Sequence, residues 1–175
     1  MRSSKPKPLF DEESLYEYAV RALASHMQSV SEIKRKLRRR ASGENADLLV
    51  EVVIARLKQN NYVNDQTYAA TYTSVRRDSQ KLGKRRVISD LKAKGLKDDV
   101  IREAVDKAYD ATTDEQQARE FLRRKRLSKP KDDRETARIF RMMMRAGFAT
   151  RSIISILKKW DVADETLTAL ETEEE

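Results

Sequence analysis

Apolar residues fall three and four apart along most of this chain, the spacing that buries one stripe of an α-helix. The clearest run is Ala46, Leu49, Val50, Val53, Ile54 and Leu57. Before it, Leu15, Ala19, Ala22 and Leu23 predict a helix from about Glu13 to Ser25. Ser29, with Glu32 three residues on, has capping-box spacing and opens a helix that turns Ile33 and Leu37 inward. Tyr62-Val63-Asn64-Asp65 reads as an extended step into a helix with Tyr68, Ala69, Tyr72 and Val75 on one side. Val87, Ile88 and Leu91 mark the next helix, and Ile101, Ala104, Val105 and Ala108 the one after Gly95. Asp98 and Asp99 suit the positive end of that helix. Thr112 and Glu115 have capping-box spacing ahead of Ala118, Phe121 and Leu122, and Lys129-Pro130-Lys131 breaks that helix. A helix from about Asp133 to Arg145 carries Ile139, Phe140 and Met143, with Gly147 as its left-handed cap, and Ile153, Ile156, Leu157 and Trp160 close the pattern.

The pattern repeats. Moving forward by 52 residues sets Val87 on Ile139, Leu91 on Met143, Gly95-Leu96 on Gly147-Phe148, Ile101 on Ile153, Ala104 on Ile156 and Val105 on Leu157. Moving backward, Val87 and Leu91 meet Ile33 and Leu37 at an offset of 54, while Ile101, Ala104 and Val105 meet Val50, Val53 and Ile54 at 51. The difference of three falls in the loop Ala41-Ser42-Gly43-Glu44-Asn45, where an insertion is tolerated most easily. The expected fold is all-α: three tandem three-helix repeats, residues 13–63, 64–111 and 112–160, forming an elongated, curved, solenoid-like array. A basic lead (1–12) is expected to be disordered, and an acidic tail (161–175) to fray.

Composition supports a thin core. Apolar residues make up 39% and charged residues 38% of 175, which leaves much surface per unit of core, and four Gly with three Pro supply few turns for a β fold. Net charge is +8, but the last 15 residues hold seven carboxylates and no cation, so the first 160 carry +15. A body this basic calls for a polyanion or an acidic protein surface. With no cysteine, disulfides and thiolate metal sites are excluded. No apolar run reaches membrane-spanning length and the N-terminus lacks an apolar signal core, so the expectation is a cytoplasmic protein with no membrane partner.

Candidate contacts are the basic clusters. Arg35, Arg38 and Arg39 lie within the run from Lys34 to Arg40, which reads equally as a solvated helix face. Arg76 and Arg77 end one helix. Lys84, Arg85 and Arg86 begin the next, where cations oppose the helix dipole and a bound anion would offset the cost. Arg123 and Arg124 belong to a run that wraps its helix, and Arg141, Arg145 and Arg151 complete the set. Tyr62, Tyr68 and Tyr72 are spaced for helix packing more than for stacking on bases, and Trp160 closes the last repeat. His26, the only histidine, has no nucleophile or second ligand near it in sequence, and no phosphate-binding loop or metal-ligand cluster is present. The chain is therefore read as non-catalytic, without cofactor or metal.

Several of these stretches together resemble one family. Tyr62-Val63-Asn64-Asp65 with Tyr68-Ala69 and Tyr72, Gly83 with Arg86-Val87-Ile88 and Leu91, Lys94-Gly95-Leu96 and Arg145-Ala146-Gly147-Phe148 resemble the RecX family of recombinase regulators. Ser31-Glu32-Ile33 with Lys36-Leu37, after Ala22-Leu23, is similar to that family's N-terminal segment, and Arg40-Ala41-Ser42 departs from its usual lysine-glycine turn. The resemblance covers roughly residues 15–160. It implies a bacterial, cytoplasmic protein of three three-helix repeats that binds the RecA filament on single-stranded DNA; a monomer is expected. It also implies suppression of that filament's ATP hydrolysis and strand exchange, limiting the SOS response. The residues alone equally support a general nucleic-acid-binding helical repeat without a protein partner.

Overall fold

Several helices in this chain start where a side chain can accept from their first amides. In the computed structural model, which describes residues 11–172, Asp11 accepts from the Ser14 amide at 2.8 Å and opens α1 (Glu12–Ser25). Ser29 and Glu32 form the expected capping box at the start of α2 (Val30–Arg38). There follow α3 (Ala46–Gln59), α4 (Asp65–Asp78), α5 (Lys84–Ala93), α6 (Asp98–Tyr109), α7 (Asp114–Arg124), α8 (Asp133–Arg145), α9 (Thr150–Lys158) and α10 (Asp164–Thr172). Among the described residues there is no strand, and no helix is long and apolar enough to cross a membrane.

The helices divide into two compact units, one holding the residues through Ala69 with Lys92–Val100, the other Ala70–Leu91 with Ile101 onward. In the first, α1, α2 and α3 enclose Leu15, Ala19, Ile33, Leu37, Val50, Val53, Ile54 and Leu57. In the second, α7 to α10 enclose Phe121, Leu122, Ile139, Phe140, Met143, Phe148, Ile153, Ile156 and Leu157. Most positions equated by the sequence offsets share a fate, Ala104 being half-buried where Val53 and Ile156 are buried: Ile33, Val87 and Ile139 are fully buried, as are Leu37, Leu91 and Met143. Val50, Ile101 and Ile153 are buried too, and so are Ile54, Val105 and Leu157.

A joint recurs at nearly the same offsets. In the first unit Ser29 Oγ donates to the Lys94 carbonyl at 2.7 Å, and Gly95, at φ +76°, lies so close that a Cβ would stand 2.6 Å from the Ser31 Cβ. In the second unit the Gly83 amide donates to the Ala146 carbonyl at 2.9 Å, and Gly147, at φ +90°, leaves only 2.9 Å between such a Cβ and the Arg86 Cα. Each glycine is there for two reasons, a left-handed backbone and a neighbouring helix N-terminus that leaves no room for a side chain.

Five expectations need correction. The capping box of α7 is Thr113 with Gln116, one residue later than the Thr112–Glu115 pair, because the inward phase of Gln117, Ala118, Phe121 and Leu122 sets where the helix begins. On α4 the buried position after Ala69 is Thr73, which leaves Val75 49% exposed. Tyr62 is 50% exposed and meets Tyr16 edge-on at 6.3 Å, whereas Tyr68 is buried and Tyr72 half-buried. The acidic segment after Asp161 does not fray through residue 172: α10 seats Leu167 and Leu170 in the second unit's core, and Lys158 pairs with Asp164 at 3.0 Å. Residues 1–10 of the lead lie outside the described residues, whereas its last two, Asp11 and Glu12, cap and begin α1 instead of being disordered.

Candidate nucleic-acid interface

The cations named from sequence divide according to whether the fold supplies a carboxylate. On α2, Arg38 reaches Asp47 at 3.3 Å and Glu51 at 3.8 Å, both on α3, and Lys34 joins Glu51 at 2.5 Å. Arg35 and Arg39, one turn apart on the exposed side, have no ion-pair partner among the described residues. Arg40 lies over the Tyr18 ring at 4.7 Å and is packed into the unit.

The basic corner between α4 and α5 is largely spoken for. Asp90 accepts from the Tyr72 hydroxyl at 3.1 Å and meets Arg86 at 2.9 Å and Arg76 at 3.8 Å. Arg76 also lies over the Tyr72 ring at 4.7 Å. Burial, with Asp90 beside the phenolic oxygen, pushes the Tyr72 hydroxyl above its ordinary range, so it stays a neutral donor. Arg77 pairs with Asp78 at 2.7 Å and donates to the Ala108 carbonyl at the end of α6. Lys84 is held by Asp106 at 2.5 Å. The anion pocket expected at the start of α5 is occupied by backbone: the Gly83 and Arg85 amides donate to the Ala146 and Gly147 carbonyls at 2.9 and 3.3 Å. Of the three cations there, Arg85 alone is exposed without an ion-pair partner among the described residues.

In the last repeat, Arg123 approaches Glu120 at 3.6 Å, while Arg124 and Arg151 are exposed, Arg151 in the first turn of α9. The densest cationic surface is on α8. Arg134, Arg138, Arg141 and Arg145 follow one another at spacings of four, three and four, opposite the buried Ile139, Phe140 and Met143. All four are exposed, and they span about 16 Å along the axis at about 1.5 Å per residue. A shallow depression of about 430 Å³ runs between them, walled also by Asp132 and Glu135. Arg138 is steadied by Glu135 at 3.1 Å, whereas Arg134 and Arg145 have no ion-pair partner among the described residues. Guanidinium stays charged at any physiological pH and its fork matches a phosphate or a carboxylate. Such a row suits a polyanion whose charges repeat every few ångströms. Sequence reasoning had named Arg141 and Arg145 and missed Arg134 and Arg138; the polar positions carried the same helical period as the apolar ones.

Fold and surface thus define a class: an all-α protein of recurring three-helix segments that presents a row of arginines fit for a polyanion. Comparison with known proteins identifies the family. The family model described as "RecX, second three-helix domain" matches residues 64–105. The chain is 32% identical over 148 residues to "Regulatory protein RecX" of Leptothrix cholodnii, covering 85% of this chain and 90% of the relative. It is 33% identical over 150 residues to "Regulatory protein RecX" of Deinococcus radiodurans, covering 84% and 69%. The crystal structure of RecX from Lactobacillus salivarius shares the fold, with a TM-score of 0.63 over 87% of this chain and 98% of that one at 21% identity. The chain belongs to the RecX family of regulatory proteins.

Proposed function

We propose that this protein regulates recombination by occupying the RecA filament on single-stranded DNA, lowering its ATP hydrolysis and strand exchange and limiting the SOS response. Membership of a family of regulatory proteins supports a regulatory role. The observation that carries the physical part is the α8 row, four exposed arginines on one helix face opposite its buried apolar stripe. On this reading the protein works as a cytoplasmic monomer, the repeats 13–63, 64–111 and 112–160 supply length, and Arg134, Arg138, Arg141 and Arg145 grip phosphates or acidic filament loops. Arg35, Arg39, Arg85, Arg124 and Arg151 extend the contact. Inhibition then follows from steric occupancy and restrained subunit motion, with no bond made or broken by the regulator.

The test is RecA's ATP turnover with single-stranded DNA in saturating amount. Inhibition that rises with regulator up to a fixed ratio to filament subunits, and that the Arg134→Gln/Arg145→Gln variant weakens, is the expected result. Turnover that falls only when DNA is scarce would refute a filament target. The second reading, a general nucleic-acid-binding helical repeat, would then stand, and the same arginine row favours it.

A further inference from the structure

The first unit carries a surface that the arginine row does not explain. Two depressions meet at the turn 61–64 and share Asn61, Val63 and Asn64 as a common wall. The first, about 260 Å³, is lined by Leu23, Met27, Gln28, Tyr62 and Tyr68. Met27 and Tyr62, 52% and 50% exposed, are among the largest apolar side chains the described surface leaves in water. Gln28, only 5% exposed, donates through Nε2 to the Ala22 carbonyl at 2.8 Å, but its buried Oε1 has no hydrogen-bond partner among the described residues. A buried carbonyl oxygen without a donor destabilises its site until something donates to it. The second depression, about 340 Å³, is flanked by Lys58 and Lys97, both exposed and without an ion-pair partner among the described residues. Its one carboxylate, Asp65, is engaged by the Val30 amide at 2.9 Å.

We propose that this groove docks a segment of a partner protein bearing one aromatic or aliphatic anchor flanked by carboxylates. The anchor enters between Leu23, Met27 and Tyr62, a backbone or side-chain N–H of the segment satisfies Gln28, and the carboxylates meet Lys58 and Lys97. Two other occupants fit the groove less well. Nucleic acid would find two lysines and a carboxylate but none of the arginine forks that α8 offers in a row. A second copy of the chain, paired through the same patch about a two-fold axis, would bring Lys58 and Lys97 against themselves.

The experiment is fluorescence anisotropy of the full chain with a labelled twelve-residue peptide holding one tryptophan between runs of glutamate. Saturable binding should fall about tenfold in Met27→Asp, the loss of one anchor contact, and severalfold in Lys97→Glu. The Met27→Asp loss should be of the same size in the Arg134→Gln/Arg145→Gln background, which separates this groove from any carboxylate binding at the arginine row. Both groove positions are exposed, so circular dichroism should show each variant folded. Replacing the tryptophan by serine, or the glutamates by lysines, should abolish binding. The proposal is overturned by an absence of binding, by equal binding of the serine peptide, or by affinity indifferent to Met27→Asp. Displacement of the peptide by a thymidine oligonucleotide would assign the groove to nucleic acid, and a concentration-dependent dimer lost in Met27→Asp would assign it to self-association; either result overturns it as well.

Discussion

Substituting Gly95 by alanine attacks the joint that the chain builds twice, and its cost can be worked from two separable causes. At φ +76° an L-residue carries a conformational penalty of about 1–2 kcal/mol. The new methyl would also lie 2.6 Å from the Ser31 Cβ and closer still to its Oγ, an overpacking that costs about 1–3 kcal/mol. Ser31→Gly removes both obstructing atoms, at about 1 kcal/mol or less for a glycine near a helix start. The double variant should therefore recover the steric part and keep the conformational part, a coupling of about 1–3 kcal/mol. At Gly147 the obstacle is the Arg86 main chain, with the Cα at 2.9 Å, so no side-chain deletion relieves it. Gly147→Ala should cost more than Gly95→Ala. Urea unfolding of the four members of the cycle and of Gly147→Ala gives these differences directly. Coupling near zero, or a Gly147→Ala milder than Gly95→Ala, would show that close approach is not what these glycines are for.

If Arg134 and Arg145 each neutralise a phosphate, Arg134→Gln/Arg145→Gln should lower the slope of log affinity against log salt by about 1.4 on single strands. At 0.1 M salt that is about a 25-fold loss, read by titration of an oligonucleotide at several salt concentrations. Glu115 accepts from Lys159 at 2.8 Å, from Arg119 at 2.9 Å and from Ser155 at 2.9 Å, and these donors hold its carboxyl at about 2 against an ordinary 4.5. A carboxyl depressed in the folded state stabilises above its unfolded value and loses that stabilisation as pH falls through the folded one. Glu115→Gln should therefore lower Tm at neutral pH, and the gap to wild type should close between pH 4.5 and pH 2 in thermal melts. Leu167→Ala should lower stability by about 2 kcal/mol, since that side chain is 2% exposed in the core; an acidic tail with no packing role would show no change.

The recurrence was legible because core apolar residues return at nearly constant offsets, and burial at Ile33, Val87 and Ile139 follows it. The joint was only half legible: Gly95 and Gly147 stood out as a pair, but the atoms they approach, Ser31 and the Arg86 backbone, are distant in sequence. The tail was misread because seven carboxylates over 15 residues outweighed Leu167 and Leu170, whose spacing of three places both on one helical face. The cap of α7 slipped because Thr112–Glu115 and Thr113–Gln116 have the same spacing, and only the phase of Ala118 and Phe121 against the core chooses between them.

For the binding surface the obstacle was different in kind. A count of cations gives the charge a body can bring to a polyanion, but not which charges remain available after folding. Lys84, Arg85 and Arg86 form a dense run in sequence, yet Asp106 and Asp90 take two of them, and the helix amides beneath are already satisfied by Ala146 and Gly147. Arg76 and Arg77 likewise secure Asp90, the Tyr72 ring and the end of α6. On α8 the four arginines are scattered in sequence among Ile139, Phe140 and Met143, and folding collects them on one side because that apolar stripe turns inward. An ion pair at the surface is worth little to stability, about 0–1 kcal/mol. Its larger consequence here is to withdraw a cation from the surface, so the map of carboxylates, more than the map of arginines, decides where the proposed contact with a polyanion can lie.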